Sequence, residues 1–491
     1  LLIRTKTFCN LNNEIMKPCN LVWSETPLVA SIIINATSER KSRVKLDHHP
    51  SWLMKHVPVL KNIMNSAPIP TSFWQYIKSM GPGIIIALTW LGAGDLVDSA
   101  IAGGNYGYTL MWAMAIAIFI RFIFVSIIAK YQLCNQHNES LISGLKRLHP
   151  SLPIIIIVIT LLFGHFYGSY MVKGVGESCV KLFGFGYAWQ WSIFWVTIAA
   201  VIIFKGILKR IEIIFYILLI LLSSSLIGIA IWTGPDPIPL AKGILTFDIP
   251  NNSGSYGALL VITSLIGAVG GSISNLLYPY FIQQKGWNST QYRKIQLYDL
   301  AFGTIILIII NLYIWTIGAE LLFSKNISIN NLDDLGLLLS IAIGKFGEPL
   351  FFIGVFAALY SSVIGNAIGF GYLITDSVNV IKSRDIIKKK PLNIANSKIY
   401  RFVILWCLFS PLVWSIPNMP SFITLTLVAN AAAVIVLPLL CGSLWIITSS
   451  ERYIGNKYKN KIYENITLLI LFLLSLWGSY QTIFVIRAII F

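Results

Sequence analysis

The sequence predicts an all-α polytopic membrane protein of eleven transmembrane helices, with the first and sixth broken. Three observations predict it. The 491 residues are 56% hydrophobic and only 12% charged, about half the charged share of an ordinary soluble domain. From Gly81 onward the apolar runs recur at 81–102, 107–130, 152–182, 187–206, 210–233, 257–284, 297–323, 346–380, 400–418, 421–448 and 463–490, each near or above the roughly 20 residues a helix needs to cross a bilayer. The first and sixth of these runs are interrupted by glycines with polar residues at the break. A five-plus-five inverted repeat places its two discontinuous helices there.

Residues 1–78 are a different material, polar and basic, and are expected to form a cytoplasmic, largely disordered tail. Residues 79–491 are expected to form the membrane-spanning domain. The formal charge of +17 does not point to nucleic acid, because the basic residues lie in short loops between apolar runs. Those loops orient the chain. One side carries only Lys181, Lys242, Lys325, Lys345 and Arg487, whereas nearly all other Lys and Arg lie in the N-terminal segment and the loops on its side. The N-terminus is therefore expected in the cytoplasm, the C-terminus outside, and the plasma membrane as the location. Arg121 and Lys173 fall inside spans. The six cysteines have no paired spacing, so neither a zinc site nor a disulfide framework is indicated. No nucleophile–base pair, phosphate loop or cofactor motif is present. The chain reads as a non-enzyme with no cofactor, partnered by the lipid bilayer and expected as a monomer.

The first span opens on Gly81-Pro82 and breaks at Gly92-Ala93-Gly94, with Asp95 and Asp98 following. Ionisable residues at membrane depth are costly and mark functional sites. The competing reading is a kinked packing helix whose acids face water at its end. Asp95 and Asp98 share a face if the helix resumes there. The sixth span breaks at Gly267, Gly270 and Gly271, followed by Ser272, Ser274 and Asn275. Small residues there also serve close helix packing, but unwound backbone at both breaks can coordinate an ion where it lines a cavity. In the third span His165, Lys173 and Glu177 form either a charge relay or, more simply, an internal ion pair beside a hydrogen-bonded histidine. Asp299 reads as a cytoplasmic helix-end acid.

The framework resembles the Nramp family of divalent metal ion transporters over roughly residues 78–490. The resemblance rests on Gly81-Pro82, Tyr106-Gly107-Tyr108, Gly267-Ala268, Gln283, Asp299, the run Ala357–Gly369, and Leu437-Pro438-Leu439-Leu440. It implies the LeuT-type fold with a cation site between helices one and six. It also implies backbone ligands at Thr89 and Ala268. The site departs from the family pattern. Gly92-Ala93-Gly94-Asp95 stands where the family has Asp-Pro-Gly-Asn, and Gly271-Ser272-Ile273 where it has Met-Pro-His. The family's third-span proton acids fall on Tyr170 and Lys173, and its tenth-span glutamine falls near Ala431, beside Asn430.

With the thioether gone, the expected donors are Asp95, Asp98, Ser272, Ser274, Asn275 and the carbonyls of Thr89 and Ala268. Gly92, Gly94, Gly271 and Asn430 shape the cavity. Oxygen donors suit magnesium and manganese rather than soft ions, and the arrangement resembles the Nramp-related magnesium transporters. The expectation is a carrier of hard divalent cations, Mg2+ or Mn2+, without proton coupling. The alternatives are a LeuT-fold carrier of a small organic solute and a non-transporting membrane sensor.

Overall fold

The computed structural model describes residues 67–81, 94–206, 208–250, 256–270, 272–383 and 397–490. The contact pattern divides the chain after Asn65. The expected tail, apart from residues 67–78, lies outside the described residues, as do Thr89, Gly92 and Gly271.

The described chain is helical throughout its length. Helix α1 (Phe73–Ser79) lies ahead of the first predicted span, the last part of which is α2 (Leu96–Tyr106). There follow α3 (Met111–Cys134), the short α4 (Leu141–Leu148), α5 (Leu152–Phe183), α6 (Ala188–Phe204), α7 (Leu208–Thr233) and α8 (Pro237–Leu245). The sixth span is split into α9 (Ala258–Val269), a 3-10 turn (Ile273–Leu277) and α10 (Tyr278–Gln284). Next come α11 (Arg293–Ile317), α12 (Leu332–Ile343), α13 (Gly347–Lys382), α14 (Lys398–Phe409), α15 (Phe422–Ala433), α16 (Leu437–Ser449) and α17 (Ile462–Ile490).

Local signals explain the ends of these helices. Ser140 and Ser421 cap α4 and α15 by accepting the amides of Ser143 and Thr424, and Asn331 caps α12 through the amides of Asp333 and Asp334. Such side chains satisfy first-turn donors that lack an intrahelical partner. Gly184 closes α5 in the left-handed conformation that glycine adopts without strain.

Among the described residues, eight helical stretches are long and apolar enough to cross a membrane: 111–134, 152–183, 258–284, 290–325, 344–382, 398–415, 422–449 and 462–484. Ala188–Phe204 and Ser223–Thr233 are shorter apolar helices, and most of the first span's apolar run falls outside the described residues. The expected eleven spans therefore correspond to eight full-length ones, with the remainder short or undescribed. Outward-facing Ile154, Val158 and Leu162 on α5, and Ile305 and Ile308 on α11, are exposed, as lipid-facing surfaces require.

Helix α5 packs along α13, α9 along α15, and α2 along α11. Asp299 is not a helix-end acid in water. It is fully buried in α11, where its carboxylate accepts the Gly81 amide at 2.7 Å and the Tyr278 hydroxyl at 3.3 Å. It thereby ties the entry of the first span to α10 and α11. Lys130, at the end of the predicted run 107–130, lies within α3 and is buried.

Candidate functional site

The two breaks meet on Asn430 of α15. Gly94 has φ +126°, a conformation L side chains rarely adopt, and a Cβ there would lie 2.3 Å from Asn430 Nδ2. A Cβ on Gly267 would lie 1.9 Å from the Asn430 carbonyl oxygen. Both glycines are thus required by close approach, one to a side chain and one to backbone.

Asp95 stands at the start of α2 and is 1% exposed, while Asp98, one turn on, is 0% exposed. Their partners differ. Asp98 accepts the Ser264 hydroxyl at 2.9 Å on each oxygen and the Asn430 amide at 3.0 Å. Asp95 pairs with Arg121 of α3, at 2.8 Å from Nη1 and 3.4 Å from Nη2. The same guanidinium, 1% exposed, donates from Nη2 to the carbonyl of Ala268 and from Nε to that of Val269. Those carbonyls belong to the last turn of α9, where helix acceptors run out of intrahelical donors and the dipole is negative. Arg121 therefore bridges the start of one resumed helix and the end of the other broken one. Two of the expected metal ligands, Asp95 and the Ala268 carbonyl, are in contact with it.

The sixth-span polar residues form a third group. Ser272 accepts the Ser274 amide at 3.3 Å and caps the 3-10 turn. Ser274 donates to Asn366 Oδ1 at 3.0 Å, and Asn366 donates to the thioether of Met171 at 3.5 Å. Asn275 donates to the Gly270 carbonyl at 3.1 Å. Among the described residues, the buried side-chain oxygens of Asn275 and Asn430 have no hydrogen-bond partner.

His165, Lys173 and Glu177 share α5 but have separate surroundings. His165 accepts the Trp414 indole N–H at 2.8 Å and meets the Ser410 hydroxyl at 3.0 Å on its other nitrogen. Lys173 donates to the carbonyls of Pro420 and Met419 at 2.7 and 3.3 Å, and its ammonium stands 3.9 Å from Glu177. None of the three bonds to Asp95 or Asp98.

The sequence reading passed over Arg121, Ser264, Asn366 and Met171 as site residues. For Arg121 the signal was present: a cation in the middle of an apolar run carries the same functional implication as an aspartate there. Ser264 lies too far ahead of the sixth-span break to be read from spacing.

A sixth span split into helical segments, buried opposite charges where it meets the start of α2, and a bundle of membrane-length helices describe a multi-pass membrane protein. A family model described as natural resistance-associated macrophage protein-like matches residues 83–485. The chain belongs to this Nramp family of divalent metal ion transporters and is an integral, multi-span membrane protein. It is 21% identical over 319 residues to the divalent metal cation transporter MntH of Chromohalobacter salexigens, covering 61% of this chain and 72% of that one. Its fold matches the manganese transporter of Eremococcus coleocola, solved in complex with an aromatic bis-isothiourea substituted compound, with a TM-score of 0.64 at 17% identity, over 85% of this chain and 89% of that one. It also matches the nucleobase-cation-symport-1 transporter Mhp1, with a TM-score of 0.50 at 13% identity, over 82% of this chain and 92% of that one.

Proposed function

We propose that the protein carries a hard divalent cation, Mg2+ or Mn2+, across the plasma membrane by alternating access, driven by the ion's own gradient and the membrane potential. The observation that carries this reading is the pair of buried carboxylates, Asp95 and Asp98, at the first break. Their hydrogen-bonding partners are oxygen and nitrogen groups. The Met171 thioether accepts a hydrogen bond from Asn366 and, among the described residues, none from either carboxylate's partners. Oxygen-rich sites favour magnesium and manganese over soft ions. Relatives named as divalent metal or manganese transporters support the same substrate class.

The absence of proton coupling is part of the proposal. At the family's proton positions stand Tyr170, buried in the core, and Lys173, held by the carbonyls of Met419 and Pro420. The chain acts as a monomer with its N-terminus and basic tail in the cytoplasm and its C-terminus outside. The test is flux into proteoliposomes loaded with a pH-sensitive dye. Mg2+ or Mn2+ uptake without internal acidification, at clamped potential, is expected. Acidification that tracks ion entry overturns the uncoupled mechanism, and no uptake of any divalent ion overturns the substrate class.

One observation favours a second reading. A site with a resident guanidinium has its own cation, and a carrier of a small organic solute needs no metal there. Uptake of labelled organic solutes without divalent flux would select it.

A further inference from the structure

We propose that Arg121 is the resident cation of this site and that the transported ion must displace it from Asp95, which makes Arg121 the residue that sets ion affinity and returns the empty carrier. The inference rests on the divalent-cation reading above.

Geometry sets the two cations in competition for the same oxygens. A magnesium ion binds carboxylate oxygen at about 2.0–2.1 Å with near-octahedral demands, whereas Arg121 Nη1 already stands 2.8 Å from Asp95 Oδ2. Its Nη2 also takes the Ala268 carbonyl, so an ion drawing on Asp95 and Ala268 would have to occupy the guanidinium's place.

The charges point the same way. Asp95 and Asp98 are both buried, and Arg121 forms its ion pair with Asp95. With Arg121 in place the junction presents one carboxylate, Asp98, held by Ser264 and Asn430. With Arg121 withdrawn it presents two, the count that matches a divalent ion. An empty carrier without Arg121 would turn over with the Asp95 carboxylate uncompensated beside buried Asp98, which is costly in a low-dielectric interior.

A second observation points to a ligand at this junction. The side-chain oxygens of Asn275 and Asn430 are buried and have no partner among the described residues. Their amide nitrogens are fixed on the Gly270 carbonyl and on Asp98, so both residues are anchored beside the break and beside the second carboxylate. Buried acceptors without a donor are rare and call for an explanation, and a bound cation supplies one.

The experiment is Mn2+ binding by calorimetry, with thermal unfolding, on the full-length protein in nanodiscs. The variants are Arg121→Gln, Arg121→Lys and the double variant Arg121→Gln/Asp95→Asn. Arg121→Gln is expected to bind Mn2+ about ten- to hundredfold more tightly than wild type, as removal of a competing closed state held 90–99% of the time requires. Its unfolding midpoint falls without ion and recovers with Mn2+ or methylguanidinium. Arg121→Lys stays close to wild type. Equal Mn2+ affinity in wild type and Arg121→Gln overturns the proposal while leaving divalent transport intact. If Arg121→Gln fails to fold even when prepared in Mn2+, and the double variant folds, no ion replaces the guanidinium and the proposal also falls. Recovery by methylguanidinium but by no divalent ion, together with absent wild-type flux, overturns the exchange and the divalent reading together.

Discussion

Helix α3 carries two buried ion pairs, both closed at 2.8 Å: Arg121–Asp95 near its middle and Lys130–Glu464 in its last turns. Their settings differ. Lys130 donates to both oxygens of Glu464 and to Asn460 Oδ1, and Glu464 Oε2 also accepts the Lys461 amide. Glu464 lies in the first turn of the continuous helix α17, where the dipole favours an anion. That pair clasps two unbroken helices. Arg121 instead joins a carboxylate at a helix start to carbonyls at a helix end, with two unpaired amide oxygens nearby. A buried pair is weak evidence of net stability, so position distinguishes them. Between continuous helices a pair fixes geometry; between broken ones it sits where backbone ligands have been released.

The largest effect that probes this contrast is on transport. Asp95→Ala leaves the Arg121 guanidinium buried without its carboxylate, facing the ion that is to bind. Divalent flux in proteoliposomes is expected to fall to background. Flux near wild type in this variant would remove Asp95 from the site.

Stability separates the two pairs next. Lys130→Met and Arg121→Gln each strip a buried carboxylate of its partner, at a cost of about 3–5 kcal/mol. Mn2+ is expected to raise the unfolding midpoint of Arg121→Gln and not that of Lys130→Met. If both respond, or neither does, the two pairs are equivalent and the contrast fails.

Backbone at the junction gives an effect of intermediate size. Gly94→Ala combines a strained φ with a Cβ 2.3 Å from Asn430 Nδ2, a cost of about 1–3 kcal/mol from the backbone alone. It should push Asn430 away from Asp98 and weaken ion affinity while leaving the bundle folded. Unchanged Mn2+ affinity in Gly94→Ala would show that Asn430 is not tied to the site through that glycine.

Much of this architecture was legible from the sequence. Runs of membrane length and two glycine-rich interruptions specify a helical bundle with broken first and sixth spans, because each signal is local. The site was legible only in outline. Asp95 and Asp98 advertise themselves by charge in an apolar run, but spacing could not assign them different partners. That assignment depends on Ser264 and Asn430 reaching Asp98 and on Arg121 reaching Asp95 across helices distant in sequence. Asp299 shows the same limit. It sits early in its span, yet three-dimensional packing buries it on the Gly81 amide.

The smallest expected effect tests the hardness of the site. Met171 is fully buried in α5 and its sulfur accepts the Asn366 amide, which in turn holds Ser274. If the thioether served the ion, replacing it would lower affinity for soft cations such as Cd2+ far more than for Mn2+. If it only packs and accepts a weak hydrogen bond, Met171→Leu is close to volume-conserving and costs under about 1.5 kcal/mol. Asn366 would lose one weak acceptor but keep the Ser274 hydroxyl. The ratio of Cd2+ to Mn2+ affinity, measured by competition in nanodiscs, is therefore expected to stay within about twofold of wild type. A selective loss of Cd2+ binding would place sulfur in the ion's path and reverse the preference for hard cations. It would leave the contrast between the two α3 pairs untouched, since neither pair contacts Met171 through any hydrogen bond among the described residues.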